Sequence, residues 1–313
     1  MALVNITSQS DIDHILNTCA SGVSGSVNIT TSDITDIKLD GLTAVGGDIH
    51  LQSATNVATV SSTTLKTIGG TLRVDNQYNL SSIDMPQLSI LSGIWIVGAP
   101  LLNGLNFAAT GVVNLSAIGI AATALKSLPL FYTNDPLVDQ VSFLTILNNP
   151  QLAVIELWTP SIETILMYQN HPDLNVTLPI LSNATSIAIA HAAIINFHEL
   201  QTVGQNLAFR NNTFSELSLP ALNTVGTDFE ISNNTKLTSL TLPALDLVKG
   251  NLTLSGNALS DVLALDRLSI VQGRMDIEGL FSKFATHLDL QHCLSTNLWV
   301  VSQCRSLPMS NKG

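Results

Sequence analysis

A group of acidic residues in the last third of the chain has a spacing that could support catalysis. Asp228 and Glu230 are separated by one residue within an apolar stretch. Asp276 and Glu278 repeat this spacing, and Arg274 precedes them. If both stretches are strands two rungs apart, at about 4.8 Å per rung, their carboxylates lie about 10 Å apart, close to the separation that inverting glycosidases use. A solvated, charge-balanced surface is the alternative, and we favour it.

Histidine and cysteine are the other residue types that could carry chemistry. The seven histidines share no spacing typical of metal ligands. His287 and His292 could hold zinc together with Cys293 and Cys304, but a disulfide between these two cysteines, closing a C-terminal cap, is the simpler prediction. Three buried thiols, with Cys19 as the third, are the remaining alternative. Phosphate loops, dinucleotide fingerprints and nucleophile elbows are absent from the sequence, so we predict no catalytic residue, cofactor or metal.

A repeated apolar triplet predicts the elements that position these side chains. Segments of the form apolar-x-apolar recur about every 22 residues. They begin at Val27, Ile49, Leu72, Ile94, Val113, Leu144, Leu166, Ile187, Leu207, Phe229, Leu252 and Met275. One interval, the 31 residues from Val113 to Leu144, breaks the period, and its turn-rich segment 128–136 is expected to form a loop. The period predicts a mainly β, right-handed leucine-rich or β-helix-like solenoid of about twelve rungs, a rung being one turn of the solenoid.

The repeat also predicts the domain organisation. A chain of 313 residues is about twice the usual domain length, but stacked rungs share one continuous core. We therefore expect a single solenoid over residues 21–290. Residues 1–20 are expected to form an N-terminal helical cap, because Ser8 precedes apolar residues at helical spacing. Residues 291–313 are expected to form a C-terminal cap and tail.

Composition excludes several classes of protein. The chain has 23 acidic and 12 basic residues, a net charge of −11, and only 11% charged residues. A basic stripe for nucleic acid cannot be built from so few cations. The apolar share of 45% and the mean hydropathy of +0.35 exclude disorder. No uninterrupted run of about 18 apolar residues occurs, so no transmembrane span is expected.

Asparagine recurs where the chain must turn after a strand. These turn positions are Asn76, Asn148, Asn170, Asn211 and Asn233. Stacked turn asparagines predict an internal hydrogen-bonded ladder, so Asn211 and Asn233 are expected to point inward and to escape glycosylation. The seven other Asn-x-Ser/Thr sequons are glycosylation candidates: Asn5, Asn28, Asn79, Asn114, Asn175, Asn183 and Asn251. Such a density of sequons is typical of a secreted glycoprotein.

The middle residue of each triplet is expected to face outward on one long sheet. In chain order these residues are Asn28, His50, Arg73, Trp95, Asn114, Thr145, Met167, Ala188, Ala208, Glu230, Thr253 and Asp276. An exposed tryptophan is costly unless it stacks on a sugar ring or anchors a partner. We therefore interpret Trp95, Thr145 and Met167 as a candidate binding strip. Ordinary packing of Trp95 beneath the long-interval loop is the alternative.

Two known families share these patterns. Cys19 and the segment 23–29, which follow a short helix, resemble the opening of a receptor L-domain, the leucine-rich solenoid module of growth-factor and insulin receptor ectodomains. The Leu-Pro-Ala-Leu, Val-Gly and strand-Asn patterns, with the many sequons, make residues 5–305 more specifically similar to the fungal Ecm33/Sps2 family of GPI-anchored cell-wall organisation proteins. The resemblance implies a non-enzymatic extracellular protein of the cell wall or cell surface. It also implies partners among wall polysaccharides and wall or cell-surface glycoproteins.

The chain departs from that family at both ends. Family members carry a secretory leader, a further cysteine near the mature N-terminus that would pair with Cys19, and a Ser-rich tail ending in a hydrophobic GPI signal. The sequence shows none of these, so we expect a truncated gene model or a fragment, with a divergent unanchored member as the alternative. Two other functions stay open: a secreted ligand-binding L-domain protein, and a β-helical polysaccharide-active enzyme that uses Asp228, Glu230 and Asp276.

Overall fold

The predicted solenoid is confirmed. A computed structural model describes residues 3–19, 22–31, 33–128, 140–260, 262–279, 283–286 and 299–304. Of the described residues, 47% lie in strands and 4% in helix, and they form a parallel β-solenoid of about 11 rungs. It divides into two compact units: Met1–Thr159 with Met167–His171, and Pro160–Leu166 with Pro172–Gly313. The predicted boundaries at residues 20 and 290 stay predictions.

The first unit contains a short helix and strands, most of which lie in two sheets. Within the described residues, these elements are α1 (Gln9–Thr18) and β1 (Leu3–Ile6), β2 (Ser26–Ile29), β3 (Asp36–Lys38), β4 (Ala44–Val45), β5 (Ile49–Gln52), β6 (Thr59–Ser61), β7 (Thr67–Asp75), β8 (Ser82–Asp84), β9 (Ile90–Ala99), β10 (Gly104–Asn106), β11 (Ala117–Thr123), β12 (Val141–Leu147) and β13 (Val154–Glu156). Strands β1, β2, β5, β7, β9, β11 and β12 pair in parallel to form what we call the front sheet. Strands β3, β6, β8 and β10 form a second parallel sheet.

The second unit repeats this arrangement. Strand β14 (Ser161–Tyr168) contributes residues to both units. The remaining described strands are β15 (Leu174–Thr177), β16 (Asn183–Ala190), β17 (Ala192–Asn196), β18 (Thr202–Val203), β19 (Leu207–Arg210), β20 (Glu216–Ser218), β21 (Thr224–Val225), β22 (Phe229–Ser232), β23 (Ser239–Thr241), β24 (Leu247–Val248), β25 (Leu252–Ser255), β26 (Val262–Leu265), β27 (Ile270–Val271), β28 (Met275–Gly279), β29 (Lys283–Thr286) and β30 (Trp299–Cys304). Pairing is parallel from β16 through β19, β22 and β25 to β28, and β30 lies antiparallel to β28.

Strict alternation of side chains builds the core of each unit. In β5, Ile49 and Leu51 are fully buried while His50 and Gln52 lie on the outer side. Parallel register then stacks each inward residue on its equivalent in the next rung, as Ile49 does on Leu72. Burial of each such aliphatic side chain contributes about 1.5–3 kcal/mol. Short strands with one buried and one exposed face therefore suffice to build the core, because every rung adds another apolar layer to the same column.

The N-terminal helix is confirmed, and a strand that the sequence did not reveal precedes it. Helix α1 buries Ile12 and Ile15, and the backbone N–H of Ser8 donates to Asp11 Oδ2 at 2.9 Å. Hydrogen bonds from Thr7 and Ser8 lower the pKa of the Asp11 carboxyl to about 2. Before the helix, β1 pairs in parallel with β2 and so adds a rung in front of the first predicted one.

Two of the predicted triplets have the wrong register. The rung assigned to 113–115 has its strand at β11, where Ile118 and Ile120 face inward and Gly119 lies between them. Asn114 has a φ of 67°, which a strand does not accommodate, and lies exposed in a bend. With β11 as the strand, the single 31-residue interval disappears. The predicted loop 128–136 lies, apart from its first residue, outside the described residues.

The second error concerns β14 and one of the predicted binding residues. Ile165 and Met167 face the core, and Met167 is only 1% exposed. The prediction that Met167 faces outward is therefore wrong, and Leu166 occupies the outward position. Three successive apolar residues fit two alternating patterns that differ by one residue, and a shift of one residue exchanges the two faces of a strand.

The asparagine ladder exists, but one residue later than predicted at Asn211 and Asn233. These two residues adopt positive φ values of 54° and 55° and are exposed, so the expectation that they point inward is wrong. In the second unit the ladder consists of Asn212 and Asn234, which are buried, and Asn257, which is partly buried. In the first unit the predicted Asn170 lies in an equivalent buried pair, in which its Oδ1 accepts from Asn149 Nδ2 at 3.1 Å. The Nδ2 of Asn234 donates to the Phe209 carbonyl and to Asn257 Oδ1, both at 3.0 Å. The turn asparagine supplies the left-handed backbone, and its successor supplies the internal hydrogen bonds.

Candidate functional site

The outward surface of the front sheet, here called the front face, aligns one side chain from each rung. Backbone register places His50 beside Arg73, Arg73 beside Trp95, Trp95 beside Gly119 and Gly119 beside Thr145. Neighbouring strands in such a ladder lie about 4.8 Å apart, so these residues form a continuous column. Two predicted residues, Trp95 and Thr145, therefore lie on one surface, separated by a single glycine.

Trp95 is held as a flat platform. A Cβ atom built on Gly119 would lie 2.2 Å from Trp95 Cε3, so the indole covers this glycine and has room only because position 119 carries no side chain. The ring of Phe143 meets the indole edge to face, with centroids 5.7 Å apart and an interplanar angle of 82°. Gly119 and Phe143 together fix the orientation of the indole, and Trp95 itself is only partly buried.

A charged cluster adjoins the platform. Asp75 Oδ2 accepts a hydrogen bond from Arg73 Nε at 2.6 Å and lies 2.7 Å from His50 Nε2. Asp48 Oδ1 accepts the backbone N–H of Thr71 at 2.7 Å. Partial burial acts to raise the pKa of Asp75, but the hydrogen bonds from Arg73 and His50 outweigh it and hold the pKa below its usual value. Asp75 is therefore ionised at neutral pH and orients both basic side chains.

Aromatic and polar groups together line a concavity in the front face, which we call the Trp95 cavity. Its volume is about 290 Å³. It is lined by Asp48, His50, Thr71, Arg73, Ile94, Trp95, Ala117 and Phe143. An apolar wall beside a few convergent hydrogen-bonding groups is the usual composition of a small-ligand site. The cavity offers a ring-stacking surface and both donors and acceptors, which suits a polyhydroxylated ring.

Several residues of this site are not among the predicted binding residues. Asp48, Asp75 and Phe143 each lie two positions from the centre of a predicted triplet. Residues two apart share one face of a strand, so extension of each triplet by two residues identifies all three. The role of Gly119 had no such signal, because the register at that rung was wrong.

The acidic cluster of the second unit does not have the properties of a catalytic pair. Glu230 and Asp276 lie two strands apart, as predicted, with Thr253 between them. Glu230 forms a two-pronged pair with the Arg210 guanidinium, whose Nε lies 2.7 Å from Oε1. These hydrogen bonds lower the pKa of the Glu230 carboxyl. An ionised, paired carboxylate cannot supply the proton that glycoside hydrolysis requires of its general acid.

The other acids of this cluster are also engaged. Asp228 Oδ1 accepts the backbone N–H of Asn251 at 2.8 Å and its side-chain amide at 3.0 Å. Glu278 Oε2 accepts the backbone N–H of Gly256 at 3.1 Å. Arg274 Nη2 lies 3.4 Å from Asp276 Oδ2. The contacts of Asp228 and Glu278 join neighbouring rungs, whereas that of Arg274 with Asp276 lies within one rung. Together they indicate a structural role.

The predicted modification sites divide by exposure. Among the seven glycosylation candidates, five are exposed: Asn5, Asn79, Asn114, Asn183 and Asn251. Asn28 and Asn175 are partly buried, and Asn28 Oδ1 accepts from Gln52 Nε2 at 3.1 Å. Cys19 forms no disulfide with any residue that the structure describes. The candidate disulfide lies outside the described residues, since Cys293 is not among them and only the backbone of Cys304 is.

Neither a metal site nor a membrane-spanning helix occurs in the described part of the chain. Among the described residues, no group of three or more His, Cys, Asp or Glu side chains is placed to hold a metal ion. The helix in the described part of the chain is too short and too polar to cross a membrane.

Fold and site together define a class: a parallel β-solenoid with a concavity lined by polar and aromatic residues on its sheet. No protein-family model matches the chain, and no solved structure matches it significantly. The chain is similar to sporulation-specific protein 22 of Saccharomyces cerevisiae, with 26% identity over 74% of this chain and 49% of that protein. It is also similar to the cell wall protein ecm33 of Schizosaccharomyces pombe, with 25% identity over 75% of this chain and 55% of that protein.

A third relative is named as a cell surface GPI-anchored protein, ECM33 of Candida albicans, with 27% identity over 71% of this chain and 53% of that protein. The chain spans about half the length of these relatives. Its homologues are thus fungal cell-wall proteins of the Ecm33 and Sps22 group, which confirms the predicted resemblance and an extracellular localisation at the cell wall or cell surface. None of the three names denotes an enzyme. The resemblance to receptor L-domains stays a prediction.

Proposed function

We propose that this chain is a non-enzymatic cell-wall organisation protein that binds wall glycans or wall glycoproteins through the front face of its first unit. The Trp95 cavity carries this proposal, because it combines a fixed indole with hydrogen-bonding groups on the accessible surface of the sheet. The names of the relatives support association with the cell wall. Thr145, on the strand that follows Gly119, extends the same surface.

A pull-down with insoluble wall material tests the role of the front face. Thr145→Arg places a long charged side chain on the front face and should reduce retention on whole walls, on purified glucan or on chitin by about tenfold, the effect of losing about 1.4 kcal/mol. Asn103→Arg is the matched control, because it adds the same side chain at an exposed position away from the cavity. Equal retention of the two variants would contradict the proposal.

Enzymatic action is the alternative that the same preparations can test. The pairing of Glu230 with Arg210 supports the absence of catalysis by the acidic cluster. We expect no release of reducing ends from wall polysaccharides by the unaltered protein. The opposite outcome is that the unaltered protein releases reducing ends and that the variant with both Glu230 and Asp276 replaced by Ala does not. That outcome would contradict the proposal and favour a polysaccharide-active enzyme.

A further inference from the structure

We propose, on the basis of the proposed function, that the Trp95 cavity binds one uncharged pyranose ring of a neutral glycan. The ring stacks on Trp95, and its hydroxyl groups bind Arg73 and Asp48. Three properties of the cavity support this ligand class: a preorganised aromatic platform, a balanced set of donors and acceptors, and a local charge that disfavours acidic sugars.

The platform is preorganised because the indole packs over Gly119 on one side and against the ring of Phe143 at an interplanar angle of 82°. A side chain already fixed in its binding orientation loses little conformational entropy when a ligand arrives. The apolar face of a pyranose ring is flat and complementary to such a surface. Trp95 therefore acts as a stacking surface and not as a flexible anchor.

The hydrogen-bonding groups match sugar hydroxyls, which both donate and accept. Arg73 uses Nε to bind Asp75, and its guanidinium still carries two Nη atoms with four N–H donors. Asp48 uses Oδ1 to accept from Thr71, and a carboxylate has about four lone-pair sites in total. Adjacent hydroxyls of one ring can accept from Arg73 and donate to Asp48. Both side chains line the cavity.

Charge selects a neutral sugar over an acidic one. The cluster contains two acidic side chains, Asp48 and Asp75, and two basic ones, Arg73 and His50, of which His50 is charged only when protonated. The whole chain has a net charge of −11. A uronate or phosphorylated sugar would meet this negative potential as it approaches. A neutral ring meets no such barrier, and its hydroxyl groups can still form hydrogen bonds with Arg73 and Asp48.

The size of the cavity limits the ligand to about one ring. Small-ligand pockets usually span about 300–1,000 Å³, and the Trp95 cavity, at about 290 Å³, lies at the lower end of that range. Longer glycans would therefore present a single unit to the cavity while neighbouring units run along the front face. Avidity from several chains or several molecules would then strengthen retention on an insoluble wall.

Calorimetric titration with soluble oligosaccharides tests the inference. The probes are β-1,3-glucose hexamer, N-acetylglucosamine hexamer and galacturonate hexamer, and the first two distinguish a glucan from a chitin source. We expect at least one neutral hexamer to bind, with an affinity that changes little between low and high salt, and the galacturonate to bind more weakly. Trp95→Ala should weaken binding by at least about tenfold.

Two further variants separate orientation from mere presence of the indole. Gly119→Ala keeps Trp95 but displaces its ring, so it should weaken neutral hexamer binding by a factor similar to that of Trp95→Ala. Tyr78→Ala removes an aromatic side chain that is 61% exposed outside the cavity and should leave binding unchanged. Circular dichroism and thermal melting of each variant establish that it is folded.

The outcomes distinguish this inference from the proposed function. Tighter binding of galacturonate, or full affinity in Trp95→Ala, overturns the inference. Retention on walls without binding of either neutral hexamer also overturns it but leaves the proposed function standing. Absence of both wall retention and hexamer binding overturns the two together.

Discussion

Among single side chains, Asp75 makes the stability of the first unit depend on pH. Its pKa in the folded chain lies below the usual value, because the hydrogen bonds from Arg73 and His50 outweigh the effect of burial. A lowered folded pKa contributes stability above about pH 4, the value for an unfolded aspartate, and that contribution is lost as the pH falls through the folded pKa. The same carboxylate orients two residues that line the Trp95 cavity.

The first prediction concerns Asp75→Asn. We expect a loss of up to about 1 kcal/mol in the free energy of unfolding at pH 7, a small value because solvent screens a partly exposed pair. At pH 2 the difference from the unaltered chain should be smaller, since the contribution of Asp75 falls as the pH drops towards and through its folded pKa. Urea denaturation at both pH values measures the two differences. A loss at pH 2 as large as that at pH 7 would contradict the linkage.

The second prediction concerns the buried asparagine ladder. Asn234→Ala removes the acceptor of the Asn212 backbone N–H and the donor to the Phe209 carbonyl, both within the core. Buried polar groups left unpaired should lower the free energy of unfolding by about 2–4 kcal/mol. Asn103→Ala, at an exposed position, is the control and should change it by less than about 0.5 kcal/mol. Chemical denaturation measures both changes. Equal losses of unfolding free energy in the two variants would refute the role of the ladder.

Strands and the turns between them show how far the sequence predicts the fold. The 22-residue period correctly predicts the rungs, because stacked apolar layers leave a strong repeating pattern. The pattern predicted the register at rungs such as that of His50, where one polar residue separates two apolar ones. It failed at β14, where Leu166 and its neighbours are all apolar. It also failed at β11, where Gly119 gives no polar marker, while Asn114, which lies in a bend, is flanked by two apolar residues. Contacts across rungs, such as Trp95 on Gly119, depend on that register and were not predicted.

The third prediction tests the corrected register of β14. Met167→Lys would bury a charge and should destabilise the chain by several kcal/mol or prevent folding. Leu166→Lys places the same side chain at the outward position and should be tolerated, with a change below about 1 kcal/mol. Soluble yield and melting temperature of the two variants provide the measurement. If Leu166→Lys proved more destabilising than Met167→Lys, the register expected from the sequence would be correct after all.

For the molecule as a whole, the distribution of sequons follows from the ladder geometry. Asn211 and Asn233 are exposed at turns, whereas the neighbouring Asn212 and Asn234 fill the core. The fourth prediction is that secretion from a eukaryotic host yields N-glycans at Asn211 and Asn233 in addition to exposed candidates such as Asn79. Peptide mass spectrometry before and after enzymatic deglycosylation locates them. Unmodified peptides at both turn positions, with glycan at Asn79, would contradict the prediction.

The asparagine ladder has a consequence for how chains of this kind change length. Asn212 bonds to Asn234, and Asn234 bonds in the same way to Asn257. Excision of residues 213–234 would bring the rung of Asn257 next to that of Asn212. Asn257 would then offer Asn212 the same amide oxygen that Asn234 offers now. Duplication or loss of one complete repeat therefore preserves every internal partner, and the gene can vary the span of its product in whole modules without inventing a new interface.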